Sequence, residues 1–148
     1  MTSKTKDNGL TRKKAYEIIG KMEGRIRSIN YNGEWPYCIE RAVVFGSYAN
    51  SDKPRISDID VGLKVSDRYT EDQSYVVECA YDDLVDEFPS YEQYPFPQYA
   101  LFRKTLIDIR ARSNYISLHI IGEDSAIFSD KTIELCSIGK PFRLPDLK

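Results

Sequence analysis

The segment Val43 to Val65, VVFGSYANSDKPRISDIDVGLKV, runs an apolar stretch straight into Gly46-Ser47 and then, after ten intervening residues, sets Asp58 and Asp60 at alternate positions. On an extended strand, residues two apart project from one face with their backbones only about 6 to 7 Å apart. Carboxylates so placed repel each other unless a cation joins them. Magnesium held by one or two carboxylates plus substrate phosphates does so, and in two-metal sites a third carboxylate completes the cage. Gly46-Ser47 stands where a strand turns into a short helix, so backbone amides and the serine hydroxyl can face a phosphate there. Phosphates and metals are expected to meet at one strand edge.

The elements that must position these residues are readable in outline. Thr11 can cap a helix over residues 12–29, whose apolar positions Ala15, Ile18, Ile19, Met22, Ile26 and Ile29 keep three-to-four spacing. Ala42 to Phe45 is a short apolar run of the kind found in a buried strand, and Gly46 ends it. Apolar and other residues alternate from Asp58 to Val65, which predicts a second strand with Ile59, Val61 and Leu63 on one face and Asp58, Asp60, Gly62 and Lys64 on the other. Thr70 with Gln73 forms a capping box ahead of a helix over residues 71–88. Pro89, Pro95 and Pro97 interrupt the pattern. Leu106 to Ala111 and Tyr115 to Ile121, joined by Arg112-Ser113-Asn114, then read as a hairpin, and Ser129 caps a last helix ending at Gly139.

Composition narrows the class. The 148 residues suit one domain, with its core over about 12–140, and 41% hydrophobic content suffices for a single core. Apolar stretches are far too short to span a membrane, and the amino end lacks the apolar segment of a secretion signal, so a soluble, cytoplasmic protein is expected. Cys38, Cys79 and Cys136 lie far apart without C-x-x-C spacing, which suggests buried thiols rather than disulfides or zinc. A net charge of −2 argues against a dedicated nucleic-acid wrapper.

Gly46-Ser47, ten intervening residues and Asp58-Ile59-Asp60 together resemble the signature of the nucleotidyltransferase superfamily that includes DNA polymerase beta, and the short chain is similar to its minimal, antitoxin-type members. An apolar strand precedes the motif, Tyr48-Ala49-Asn50 follows in the Gly-Ser-x-Ala place, and serine precedes Asp-Ile-Asp. Ser51 departs from the pattern where the family often has glycine. The resemblance implies an α/β (α+β) fold with a small mixed sheet flanked by helices, two Mg²⁺ or Mn²⁺ ions on Asp58 and Asp60, and transfer of a nucleoside monophosphate from a nucleoside triphosphate, ATP foremost, to an acceptor hydroxyl. It also implies a third aspartate on a later strand. Asp108, in Leu106-Ile107-Asp108-Ile109-Arg110, is the favoured candidate; the rival register uses Tyr115 to His119 and leaves Ser117 in the acid's place. Apolar residues at 99, 102, 106 and 109 have a helical spacing that would take Asp108 out of the sheet. Minimal members resemble antitoxins that modify a HEPN-domain partner, so a protein acceptor is expected, with a homo-oligomer and a nucleic-acid acceptor left open. The alternative is a non-catalytic binding or antitoxin module on the same fold.

Other polar residues are weighed around this frame. Lys53 and Arg55 sit in the loop between serine and acids, where phosphates would lie. Arg110, with Arg112 and Lys104, could meet triphosphate oxygens or form a solvated face. His119 is expected to be packed rather than a base. Tyr91, Tyr94, Phe96 and Tyr99 could stack on a base, form a partner surface or pack a loop. The basic residues at 4, 6 and 12 to 14 read as a solvated terminus.

Overall fold

The computed structural model describes residues 9–122, 126 and 131–137. A two-residue strand β1 (Leu10–Thr11) leads into helix α1 (Arg12–Tyr31), and the Thr11 hydroxyl accepts from the Lys14 amide at 3.1 Å. That bond satisfies one of the donors a helix start leaves free. Strand β2 (Tyr37–Phe45), one helical turn α2 (Ser47–Asn50), β3 (Arg55–Ile56) and β4 (Ile59–Asp67) follow. Then come α3 (Ser74–Glu87), α4 (Pro97–Arg110), β5 (Ile116–Ile120) and β6 (Ile133–Ser137).

Four strands form a mixed sheet in the order β5-β4-β2-β6, with β2 antiparallel to both its neighbours and β5 parallel to β4. The fold is α+β, a small mixed sheet flanked by helices. Strands β1 and β3 pair separately, Leu10 with Ile56 and Thr11 with Arg55. One sheet face contributes Ile39, Val44, Ile59, Val61 and Leu63 to the core and meets the buried stripe Ala15, Ile19, Met22 and Ile26 of α1. Full burial of each such side chain is worth about 1.5 to 3 kcal/mol. A second cluster, Tyr37, Val77, Leu84, Ala100 and Leu101, joins α3 and α4 to the sheet's far end. Among the described residues, no helix is long and apolar enough to cross a membrane.

The capping box forms as expected: the Thr70 amide donates to Gln73 Oε1 at 3.1 Å, opening a 3-10 turn (Glu71–Gln73) that runs into α3. Two expectations are corrected. Leu106 to Ala111 is no hairpin arm but the end of α4. Pro97 fits the first turn of this helix, and Leu101, Thr105 and Ile109 form its buried stripe. Thr105 is the disguise in that stripe: its hydroxyl donates to the Leu101 carbonyl at 2.8 Å and accepts from Trp35 Nε1 at 2.9 Å, so a polar residue sits fully buried at no cost. The second correction concerns the last element, where Ile133–Ser137 is a strand on the edge of β2. Leu135 is buried, while Glu134 pairs with Arg41 across the strands at 2.9 Å. Ser129 and Gly139, the proposed helix ends, lie outside the described residues. Cys38 and Cys79 are free thiols as expected, but Cys79 is exposed and Cys38 half-buried where buried thiols were expected.

Candidate functional site

The core-facing alternation of β4 sends Asp60 to the sheet face away from α1, and Asp58 immediately precedes the strand. Register extends that face sideways: Phe45 stands opposite Asp60 on β2, and Ser117 opposite Asp60 on β5. Gly46 follows Phe45 directly and turns the chain with φ 72° and ψ −150°, a conformation close to one that only glycine adopts readily. It also makes room. A Cβ at this position would lie 2.3 Å from Asp60 Oδ2, so the carboxylate occupies the space a side chain would need. The glycine of the Gly-Ser turn and the second aspartate therefore form one corner, with Ser47 exposed at its rim.

Arg12 holds the loop after that corner. Its guanidinium donates to the carbonyls of Tyr48 at 2.9 Å and Lys53 at 2.8 Å, to that of Ser51, and to that of Ser47 at 3.5 Å, and it lies 5.3 Å over the Tyr48 ring. Burial raises the Tyr48 phenol pKa. Arg12 is thus a structural clamp and not part of a solvated terminus. Asn50 adds a second tie, donating to the Lys131 carbonyl and accepting from its amide, each at 2.9 Å. Loss of the clamp should free the Ser47–Lys53 segment. We expect Arg12→Met to cost about 1 to 3 kcal/mol in urea denaturation, with Arg12→Lys a poor rescue because one ammonium cannot span those carbonyls. Equal stability of the Arg12→Met variant would show the clamp to be idle.

The remaining candidates are distributed unevenly. Lys53 and Arg55 are exposed; Arg55 reaches the Gly9 carbonyl at 3.4 Å within the small sheet. Asp108 does not share the strand edge. It sits on α4, paired with Lys104 at 2.8 Å, and that ammonium lies 4.5 Å over the Phe88 ring on the α3 side. On the neighbouring strand β5 it is Ser117 that stands beside Asp60. His119 joins this group: Nε2 is 3.5 Å from Asp60 Oδ1 and 3.2 Å from Ser117 Oγ, and its ring packs edge-on against Phe45 at 5.2 Å. Serine and aspartate approach the same ring nitrogen, so the imidazole does not relay between them as a serine nucleophile requires. Farther along the face, Lys64 and Ser66 hydrogen-bond Glu40 at 2.7 and 2.6 Å, and these bonds hold its carboxyl below the usual range.

Asp58 opens onto a polar cleft of about 410 Å³ that runs along α4 past Arg103, Arg110, Asn114 and Ser117. Arg110 donates to the Ser113 carbonyl at 3.1 Å and lines this cleft together with Asp58. Arg103 went unnoticed in the sequence. Only its spacing of seven residues from Arg110, two helical turns, marks the shared face.

The donors suit a hard divalent cation delivered with phosphates, for which one or two carboxylates are sufficient. Asp58 is exposed and has no ion pair or hydrogen bond among the described residues, while Asp60 is 30% exposed beside His119. Among the described residues, no three His, Cys, Asp or Glu side chains gather into a protein-only cage. No protein family, curated protein or solved structure matches the chain.

Proposed function

We propose that this chain is a nucleotide-binding module of nucleotidyltransferase type, which takes a nucleoside triphosphate, ATP foremost, with magnesium at the corner of Gly46-Ser47, Asp58 and Asp60. The observation that supports the reading is the contact between Gly46 and Asp60: the backbone that would receive phosphate closes directly on a carboxylate suited to the cation. Asp58 and Asp60 hold the metal. Gly46 lets the phosphates approach the backbone, and the Ser47 hydroxyl binds a phosphate oxygen. Bound magnesium neutralises the phosphates and makes phosphorus more electrophilic. Ser117 beside Asp60 favours binding over turnover, because a hydroxyl cannot replace a carboxylate as the acceptor-side ligand. As such a module the chain would present bound nucleotide to a partner protein of the HEPN type.

A second reading, transfer of the nucleoside monophosphate to an acceptor hydroxyl with release of pyrophosphate, draws on His119. An imidazole 3.5 Å from Asp60 can take the proton an acceptor hydroxyl releases. Thermal unfolding with and without magnesium and ATP tests the shared premise. At a hundredfold excess over Kd, binding adds about 2.7 kcal/mol, a rise of roughly 5 to 10 °C. Asp60→Asn should lose that rise while keeping its fold, and an equal rise in the variant would remove the metal from this corner. Incubation with labelled triphosphates, Mg²⁺ or Mn²⁺ and cell extract separates the readings, since a labelled product made by the wild type favours transfer.

A further inference from the structure

Strand β4 ends at Asp67, roughly 23 Å from Asp60 at the usual rise per residue, and a second concavity of about 590 Å³ opens there. We propose that it binds a quaternary ammonium group of the choline type. Its walls are aromatic. Tyr37 stands opposite Asp67 in the β2/β4 register, and the start of α4 brings Phe96, Tyr99 and Phe102 to the same opening. The Tyr37 and Phe102 rings are 5.9 Å apart at 83°, two nearly perpendicular walls. The Tyr37 hydroxyl donates to the Gln98 carbonyl at 3.1 Å, which fixes that buried ring as the floor behind the exposed Phe96 and Tyr99. Phe96 and Tyr99 remain 65% and 46% exposed, an unusual commitment of large apolar rings to water at one place.

The charge at the opening selects the ligand. Asp67 is exposed, and its carboxylate makes no hydrogen bond or ion pair with a side chain among the described residues. Its neighbour Arg68 turns away to the carbonyls of Ile29, Asn30 and Asn32, and Lys104 is engaged by Asp108 and Phe88. Aromatic faces carry negative potential, and an alkylated ammonium combines positive charge with apolar surface and weak hydration. A neutral apolar ligand would forgo Asp67, and a bare ammonium would lose more hydration in reaching the rings and bring no apolar surface to them.

Titration of the whole chain with choline and with 3,3-dimethylbutan-1-ol, its neutral isostere, followed by amide chemical shifts, tests the proposal. Choline should shift the amides around Asp67 and Tyr99 and bind at least about tenfold more tightly than the alcohol, since only the cation gains from ring faces and carboxylate. Asp67→Asn and Phe96→Ala should each weaken choline by about fivefold or more. Phe96 is exposed, so its variant keeps the measurement meaningful if Asp67→Asn does not fold. Sedimentation with phosphatidylcholine vesicles distinguishes a lipid headgroup, which would carry the chain down, from a free cation, which would not. An alcohol that binds as well as choline, or no binding of either at tens of millimolar, overturns the proposal.

Discussion

Gly46→Ala is expected to reduce magnesium-nucleotide affinity by at least about a hundredfold, or 2.7 kcal/mol, and to lower stability by about 1 to 3 kcal/mol. Two causes act together. The backbone at φ 72° and ψ −150° strains any residue with a Cβ, and the added methyl would lie 2.3 Å from Asp60 Oδ2. Relief requires the carboxylate to swing away or the turn to open, and either dismantles the corner. Gly24→Ala is the control: in the middle of α1, with nothing within 4 Å of the added methyl, it should stabilise by about 0.5 to 1 kcal/mol. Isothermal titration with urea denaturation of both variants measures the two effects separately. A Gly46→Ala protein that binds nucleotide normally would show that the turn and Asp60 do not form one site.

The second large effect is a gain. Ser117 lies beside Asp60 on the neighbouring parallel strand, so Ser117→Asp would put a third carboxylate beside the first two. Without metal the new charge should destabilise by about 1 kcal/mol through repulsion in a partly solvated setting. Magnesium should reverse the loss and stabilise the variant more than the wild type. If the wild type is a binding module, transfer activity should appear in the variant at least about a hundredfold above it, as an acceptor-side ligand is restored. Asp108→Asn should change neither binding nor transfer, because Asp108 faces Lys104 on the far side of α4. A variant as inert as the wild type, with no added response to magnesium, would exclude position 117 as the place of the missing acid. Loss of function on Asp108→Asn would revive its role despite the helix.

The parts legible in the sequence are those encoded over short distances. Gly46, Asp58 and Asp60 stand at the joined ends of two adjacent antiparallel strands close in sequence, and the alternation around Asp60 sets its face without reference to the rest of the chain. Thr70 and Gln73 need only each other. Asp108 was misplaced because a five-residue apolar stretch fits a strand and a helix equally, and the buried stripe that decides for a helix runs through Thr105, whose partner Trp35 is 70 residues away. Residues 133–137 were misread for a related reason: Glu134 gains its partner Arg41 only across 93 residues. Arg12 left no signal at all, since its partners are backbone carbonyls that carry no residue identity.

The parallel seam between β4 and β5 has a kinetic meaning. The corner of Gly46 and Asp60 comes from an antiparallel pair of strands close in sequence, whereas Ser117 and His119 reach it only after the chain has built the whole crossover through α3 and α4. Non-local parallel pairing bears its loop-closure entropy before its contacts reward it. The cleft beside Asp58 is therefore a late product of folding, assembled against a carboxylate pair already in place. During synthesis, the corner of Gly46 and Asp60 can form while the α4 wall and the residues beside Asp60 are still emerging.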